Sequence, residues 1–104
     1  MILTTTETIP GKTVKDILGI AKGSTVRAKH IGRDIMAGLK HLVGGELKGY
    51  TEMLNEAREE ALKRMRDDAK KKGADAVVCV RLVTSELMQG AAEVSAYGTA
   101  VKLK

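Results

Sequence analysis

Residues 50–83 read YTEMLNEAREEALKRMRDDAKKKGADAVVCVRLV, and they decide the fold because their periodicity changes once, at Gly73. Before that glycine, Tyr50, Leu54, Ala57, Ala61, Met65 and Ala69 recur every three or four residues, the spacing that gathers side chains on one helical face. The other side carries Glu59–Lys63, Glu60–Arg64, Asp67–Lys71 and Asp68–Lys72, each acid four residues ahead of a base, the favourable order. Lys70, Lys71 and Lys72 complement the negative helix end, and Gly73 suits the left-handed conformation that stops a helix. The pattern predicts a helix over 50–72. After it, AVVCVRLV (76–83) is short, rich in valine and apolar at both parities, which predicts a mostly buried strand.

Working outward, Gln89-Gly90 marks a hairpin turn and Ala92–Leu103 a last strand containing Gly98. Upstream, Ile31, Ile35, Leu39 and Leu42 predict an earlier helix over 31–43, broken at Gly44-Gly45. Val14, Ile17, Leu18, Ile20 and Val26 predict a long bent strand over 13–27, with Gly19 and Gly23 marking a bulge or a close backbone approach. Residues 1–11 open on a β-prone stretch and close on a Pro10-Gly11 turn. The result is an α+β, two-layer strand–helix–helix–strand–strand unit. The hairpin makes the last two strands antiparallel, and the helical crossover favours a parallel relation between the first two. The small residues Ala92, Val94, Ala96 and Gly98 fit the last strand between the others, an antiparallel central strand with spatial order 1-3-2. Both helices would cover one face of the sheet. The other face would still show apolar side chains, which points to a partner surface.

Composition agrees with one small domain spanning 1–104. A folded chain of this mass exposes roughly 5,700 Å², against about 16,000 Å² when open, so it can bury one modest core. Hydrophobic residues make up 43% and charged residues 30%, a balance that excludes disorder. No apolar run approaches a membrane span, no signal peptide is visible, and one cysteine gives no support for secretion; the expected setting is cytoplasmic. Phe and Trp are absent, and Tyr50 and Tyr97 are the only aromatic residues. A core built of Ala, Val, Leu and Ile buries little area per residue, which makes self-association the expected remedy.

Residues with possible chemistry are few. Cys79 stands between Val78 and Val80 with no second cysteine to chelate, and is expected to be a buried, inaccessible core thiol. His30 and His41 would share a helical face but sit roughly 16 Å apart along the axis, too far for one ion. His30 and Asp34, at i and i+4, offer two ligands of an incomplete metal site, and a solvated ion pair is the simpler reading. Ser24, Ser85 and Ser95 lack a nucleophile-elbow context, and GGELKGY (44–50) lacks the spacing of a phosphate loop. The net charge of +5 raises nucleic-acid binding, but bases alternate with acids and no paired aromatics offer a stacking platform. Neither catalysis nor nucleic-acid binding is expected.

Three segments, GRDIMAGLKHLVGGELKGYTEML (32–54), AREEALKRMRDDAKKKGADAVVCVRL (57–82) and YGTAVKL (97–103), together resemble the YbjQ-like family of small proteins labelled heavy-metal-binding. The double glycine before a Tyr-led helix, Ala-Arg-x-x-Ala, Gly-Ala-x-Ala-Val and the terminal Gly-Thr-Ala-Val carry the resemblance over nearly the whole chain. It implies a dodecin-like subunit with sheet order 1-3-2 that assembles into a homopentameric ring with the help of short extra strands. It supplies no catalytic residue. Arg33, Asp34, Glu46, Tyr50 and Arg58 match the family and could equally serve helix pairing and subunit contacts. The expectation is a homo-oligomeric binding or structural protein, not an enzyme. The alternative is a heavy-metal-binding protein with sites shared between subunits, drawing on His30, Asp34, His41 or Cys79.

Overall fold

The computed structural model describes residues 1–28 and 48–104. They form β1 (Ile2–Leu3), β2 (Val14–Ala28), α1 (Lys48–Lys71), β3 (Ala76–Met88) and β4 (Ala91–Leu103), an α+β arrangement of one helix on a mixed sheet. The sheet order is β1-β3-β4-β2, with β4 antiparallel to both β2 and β3 and β1 parallel to β3. The helix expected over 31–43 lies outside the described residues, as do His30, Asp34 and His41.

α1 ends as its sequence dictates. Gly73 takes φ +79°, its N–H donates to the Lys70 carbonyl at 2.9 Å, and the Ala74 N–H reaches back to Ala69 at 3.1 Å. Those bonds satisfy carbonyls of the last turn, the Ala69 carbonyl accepting from Lys72 at 3.0 Å as well. The stripe of α1 is buried: Ala57, Ala61, Met65 and Ala69 are fully enclosed against Ala21, Val77, Val94, Ala96 and Ala100. Small side chains bring the layers close. At Gly23 a Cβ would lie 2.5 Å from the Ala61 carbonyl oxygen and 2.7 Å from the Arg64 carbonyl carbon, and would overlap the Met65 nitrogen. Glycine is required there because the strand touches helix backbone, which cannot yield as a side chain can.

α1 also reaches round the outer edge of β2. Asp68 Oδ2 accepts the Lys22 N–H at 3.0 Å, and Arg64 Nη1 donates to the Ser24 carbonyl at 2.6 Å. One turn apart on the helix, these side chains occupy edge groups that another strand would otherwise use. Each also has a partner on α1, Glu60 for Arg64 at 3.1 Å and Lys72 for Asp68 at 3.0 Å.

Two expectations need correction. The sheet has a fourth strand, because Ile2 and Leu3 pair with Ala76 and Val77. β3 is also longer than Ala76–Val83, and its burial stops at Val80: every residue from Arg81 to Met88 is exposed. The helix lies over β2 and β4, so the far half of β3 gains no cover from it. The ladder with β4 nevertheless continues to Gln89-Gly90, where Gly90 turns the hairpin at φ +81°.

Candidate functional site

The most unusual backbone lies in β3. Val78 pairs with Thr99 and Arg81 with Tyr97, so Cys79 and Val80 together oppose Gly98, a β-bulge. Cys79 takes φ +56°, the left-handed region that non-glycine residues seldom occupy. Gly98 makes room opposite: a Cβ there would come within 2.6 Å of Val77 Cγ1 and 2.9 Å of the Val78 carbonyl.

The N-terminal segment is bonded to this bulge. The Cys79 N–H donates to Thr6 and the Val80 N–H to Thr4, each at 3.0 Å, while the Thr4 N–H returns a bond to Val77. Arg81 Nη1 donates to the carbonyls of Thr5 at 3.0 Å and Val80 at 2.8 Å. Thr6 Oγ1 donates to the Thr8 carbonyl at 2.6 Å, which leaves the Thr4 hydroxyl to donate to Thr6 Oγ1 at 2.7 Å. Residues 2–6 are thereby fixed along the first half of β3.

The bulge corrects the expected burial of Cys79. Val78 and Val80 are 5% and 7% exposed, but the thiol between them is half-buried and free. It lines a cleft of about 520 Å³ whose walls include Ile9, Val14, Ile17 and Val101, with Glu7 and Lys12 also present. Among the described residues no three His, Cys, Asp or Glu side chains converge on a point that could hold an ion. Cys79 and Glu7 share the cleft as a two-donor set at most. Gly98 was visible in the sequence as a small residue inside the last strand, but its place opposite a bulge depends on a register that only the folded sheet defines.

The cleft opens on the side of the sheet away from α1, an exposed side where large apolar side chains stand among Lys22, Arg81 and Glu93. Ile20 is 67% exposed, Ile17 73% and Leu87 54%, and Val26, Val83 and Tyr97 add to the same surface. Near its centre the hydroxyls of Ser24 and Ser95 bond each other at 2.9 Å. A second cleft of about 650 Å³ lies on the helix side between Tyr50, Met53, Leu54, Glu86 and Ala92. Among the described residues two carboxyls titrate below the usual range. Asp68 is held down chiefly by the Lys22 N–H and then by Lys72; Asp75 is held down by the Leu103 N–H at 2.8 Å, assisted by Lys102. Both bonds join chain segments and serve the fold. No helix among the described residues is long and apolar enough to cross a membrane.

Comparison with known proteins places the whole chain. The sequence model of the YbjQ family, described as "Putative heavy-metal-binding", matches residues 1–104. A UPF0145 protein of Psychromonas ingrahamii is 62% identical over 104 residues, covering 100% of this chain and 99% of its own. One from Archaeoglobus fulgidus is 64% identical, covering 100% and 96%. Among solved structures, a DUF74-family protein of unknown function from Pediococcus pentosaceus superposes with a TM-score of 0.67 at 18% identity, covering 100% of this chain and 98% of that one, and so shares the fold. On a match that runs from its first residue to its last, the chain belongs to the YbjQ family.

Proposed function

We propose that this chain is a self-assembling binding or structural protein and not a catalyst. The observation that carries the proposal is the uncovered sheet face, where Ile17, Ile20, Val26, Val83, Leu87 and Tyr97 stand in solvent together. An apolar surface of this extent marks a site of association. A ring of five is the stoichiometry the family resemblance implies. A cytoplasmic setting, where an unpaired thiol such as Cys79 stays reduced, belongs to the same proposal. Native mass spectrometry and light scattering at micromolar concentration test it. A defined oligomer is expected, and a stable 11.2 kDa monomer overturns it.

The family's description favours a second reading, a heavy-metal site, and the accessible Cys79 thiol supplies one soft donor for it. Cys79 and Glu7 fall short of a complete shell, so such a site needs donors from another copy. Titration calorimetry separates the readings. No submicromolar stoichiometric binding of zinc or copper is expected. Tight binding abolished by Cys79→Ser or His30→Ala would put the metal reading first.

A further inference from the structure

The cleft beside Cys79 has its floor in a second, smaller core. Val78 and Val101 are buried there, and Ile9, Leu103 and the Cys79 side chain pack half-buried against them. Val14 and Ile17 continue the same aliphatic wall. The cleft lies where Val14 pairs with Leu103, at the opposite end of β2 from Ala28. Its rim, residues 7–13, is tied down at both ends. The Cys79 N–H donates to Thr6 at 3.0 Å on one side, and the Lys104 N–H donates to Thr13 at 2.8 Å on the other. Between them the Lys12 N–H closes a turn on the Ile9 carbonyl at 3.0 Å, with Gly11 at φ +77°. A cleft framed by backbone bonds in this way is formed before any ligand arrives, which lowers the cost of binding.

The cleft also carries one charge of each sign, Glu7 and Lys12. They do not pair with each other, and among the described residues neither has another ion-pair partner. We infer that this cleft binds a free aliphatic α-amino acid, with its side chain on the floor, its ammonium on Glu7 and its carboxylate on Lys12. The walls select the side chain: Ile9, Val14, Ile17, Val78, Val101 and Leu103 are aliphatic, and no aromatic residue lines the cleft among the described residues. The rim selects the head group. A fatty carboxylate would meet Glu7 with like charge and a simple amine would meet Lys12 so, whereas a zwitterion completes both. Each contact joins an ionised group of the ligand to an ionised side chain, the stronger kind of hydrogen bond. The volume of about 520 Å³ falls in the range of small-molecule sites.

This gives the binding part of the proposed function a ligand and does not depend on the assembly. Equilibrium dialysis of the full chain with labelled L-leucine tests it. Isocaproate and isoamylamine serve as competitors, since each keeps the aliphatic chain and one of the two charges. Leucine is expected to be retained with half-saturation below about 1 mM. Each competitor should displace it at least about tenfold less well, and Glu7→Gln and Lys12→Gln should each weaken leucine by about tenfold. Both residues are exposed, so neither substitution disturbs the core. Glycine, which has no side chain to bury, should not compete. No retention at about 10 mM leucine, equal displacement by either single-charge competitor, or unchanged affinity in either variant overturns the site. Assembly is read separately by mass. A chain that assembles and ignores leucine loses only this inference, and a monomer that retains leucine loses only self-assembly.

Discussion

β2 and the far half of β3 are both outer strands of one sheet, yet one is closed and the other open. β2 lies beneath α1, with Gly23 against helix backbone and Asp68 and Arg64 holding its edge at Lys22 and Ser24. β3 beyond Arg81 is paired with β4 on one side only; its outer edge has no strand among the described residues, and its large apolar side chains face water. The same chain can therefore build a tightly fitted edge, and the open one is not a general consequence of a small, aromatic-poor core. Exposure is concentrated on the surfaces that the proposed assembly would cover.

Changes on the closed side should cost most. Gly23→Val drives a side chain into the backbone of Ala61, Arg64 and Met65, and a loss of about 3 kcal/mol in urea unfolding is expected, the upper end of overpacking costs. Ala61→Leu enlarges the fully buried helix stripe and should cost about 2 kcal/mol by the same measurement. Unchanged unfolding in either variant would mean that helix and strand are not in register as described.

Asp68→Ala removes the acceptor of the Lys22 N–H, and about 1 kcal/mol is expected. Acid should act in the same direction. Asp68 and Asp75 titrate lower in the folded chain than in the unfolded one, so their stabilisation is complete above the ordinary carboxylate range. It is lost as pH falls through their depressed folded values, below about pH 4. The Asp68→Ala variant should show a shallower acid loss than the parent, and an equal loss would remove Asp68 from the explanation.

On the sheet face away from α1, where even β2 is open, Ile20→Ser should shift the unfolding free energy of dilute protein by no more than about 0.5 kcal/mol, because Ile20 already stands 67% in solvent. Its effect belongs to assembly, read by light scattering. A large loss of stability in the dispersed chain would show that this face packs within a single copy.

The contrast between the halves also separates what local sequence could reveal from what it could not. α1 and its stop at Gly73 were legible because helical spacing and the left-handed cap are set by residues close in sequence. The hairpin at Gln89-Gly90 was legible for the same reason. β1 was legible only as a β-prone start; its place beside β3 was not, since two residues carry no periodicity and their partners, Ala76 and Val77, lie far along the chain. The run AVVCV reads as uniformly buried, and nothing within it announces that Cys79 turns left-handed opposite Gly98. The length of β3 was hidden too: Thr84, Ser85 and Glu86 end the apolar run, although their backbone remains paired with Val94, Glu93 and Ala92. The candidate site was thus legible in its residue types, and its geometry depended on register across strands.

The ladder between β2 and β4 carries a consequence for the order of folding. Val14 meets Leu103 and Ala28 meets Ala91, so the earliest long strand to leave the ribosome waits for the last one. α1 and the β3–β4 hairpin join residues near in sequence and can form early, whereas closing so long a loop delays the final strand. During synthesis Ile17 and Ile20 are therefore displayed on an unpaired segment, and β2 docks only after β4 is complete. A folding phase slower than that of the α1–β3–β4 unit, and sensitive to substitutions at Gly23, is the kinetic signature of that wait.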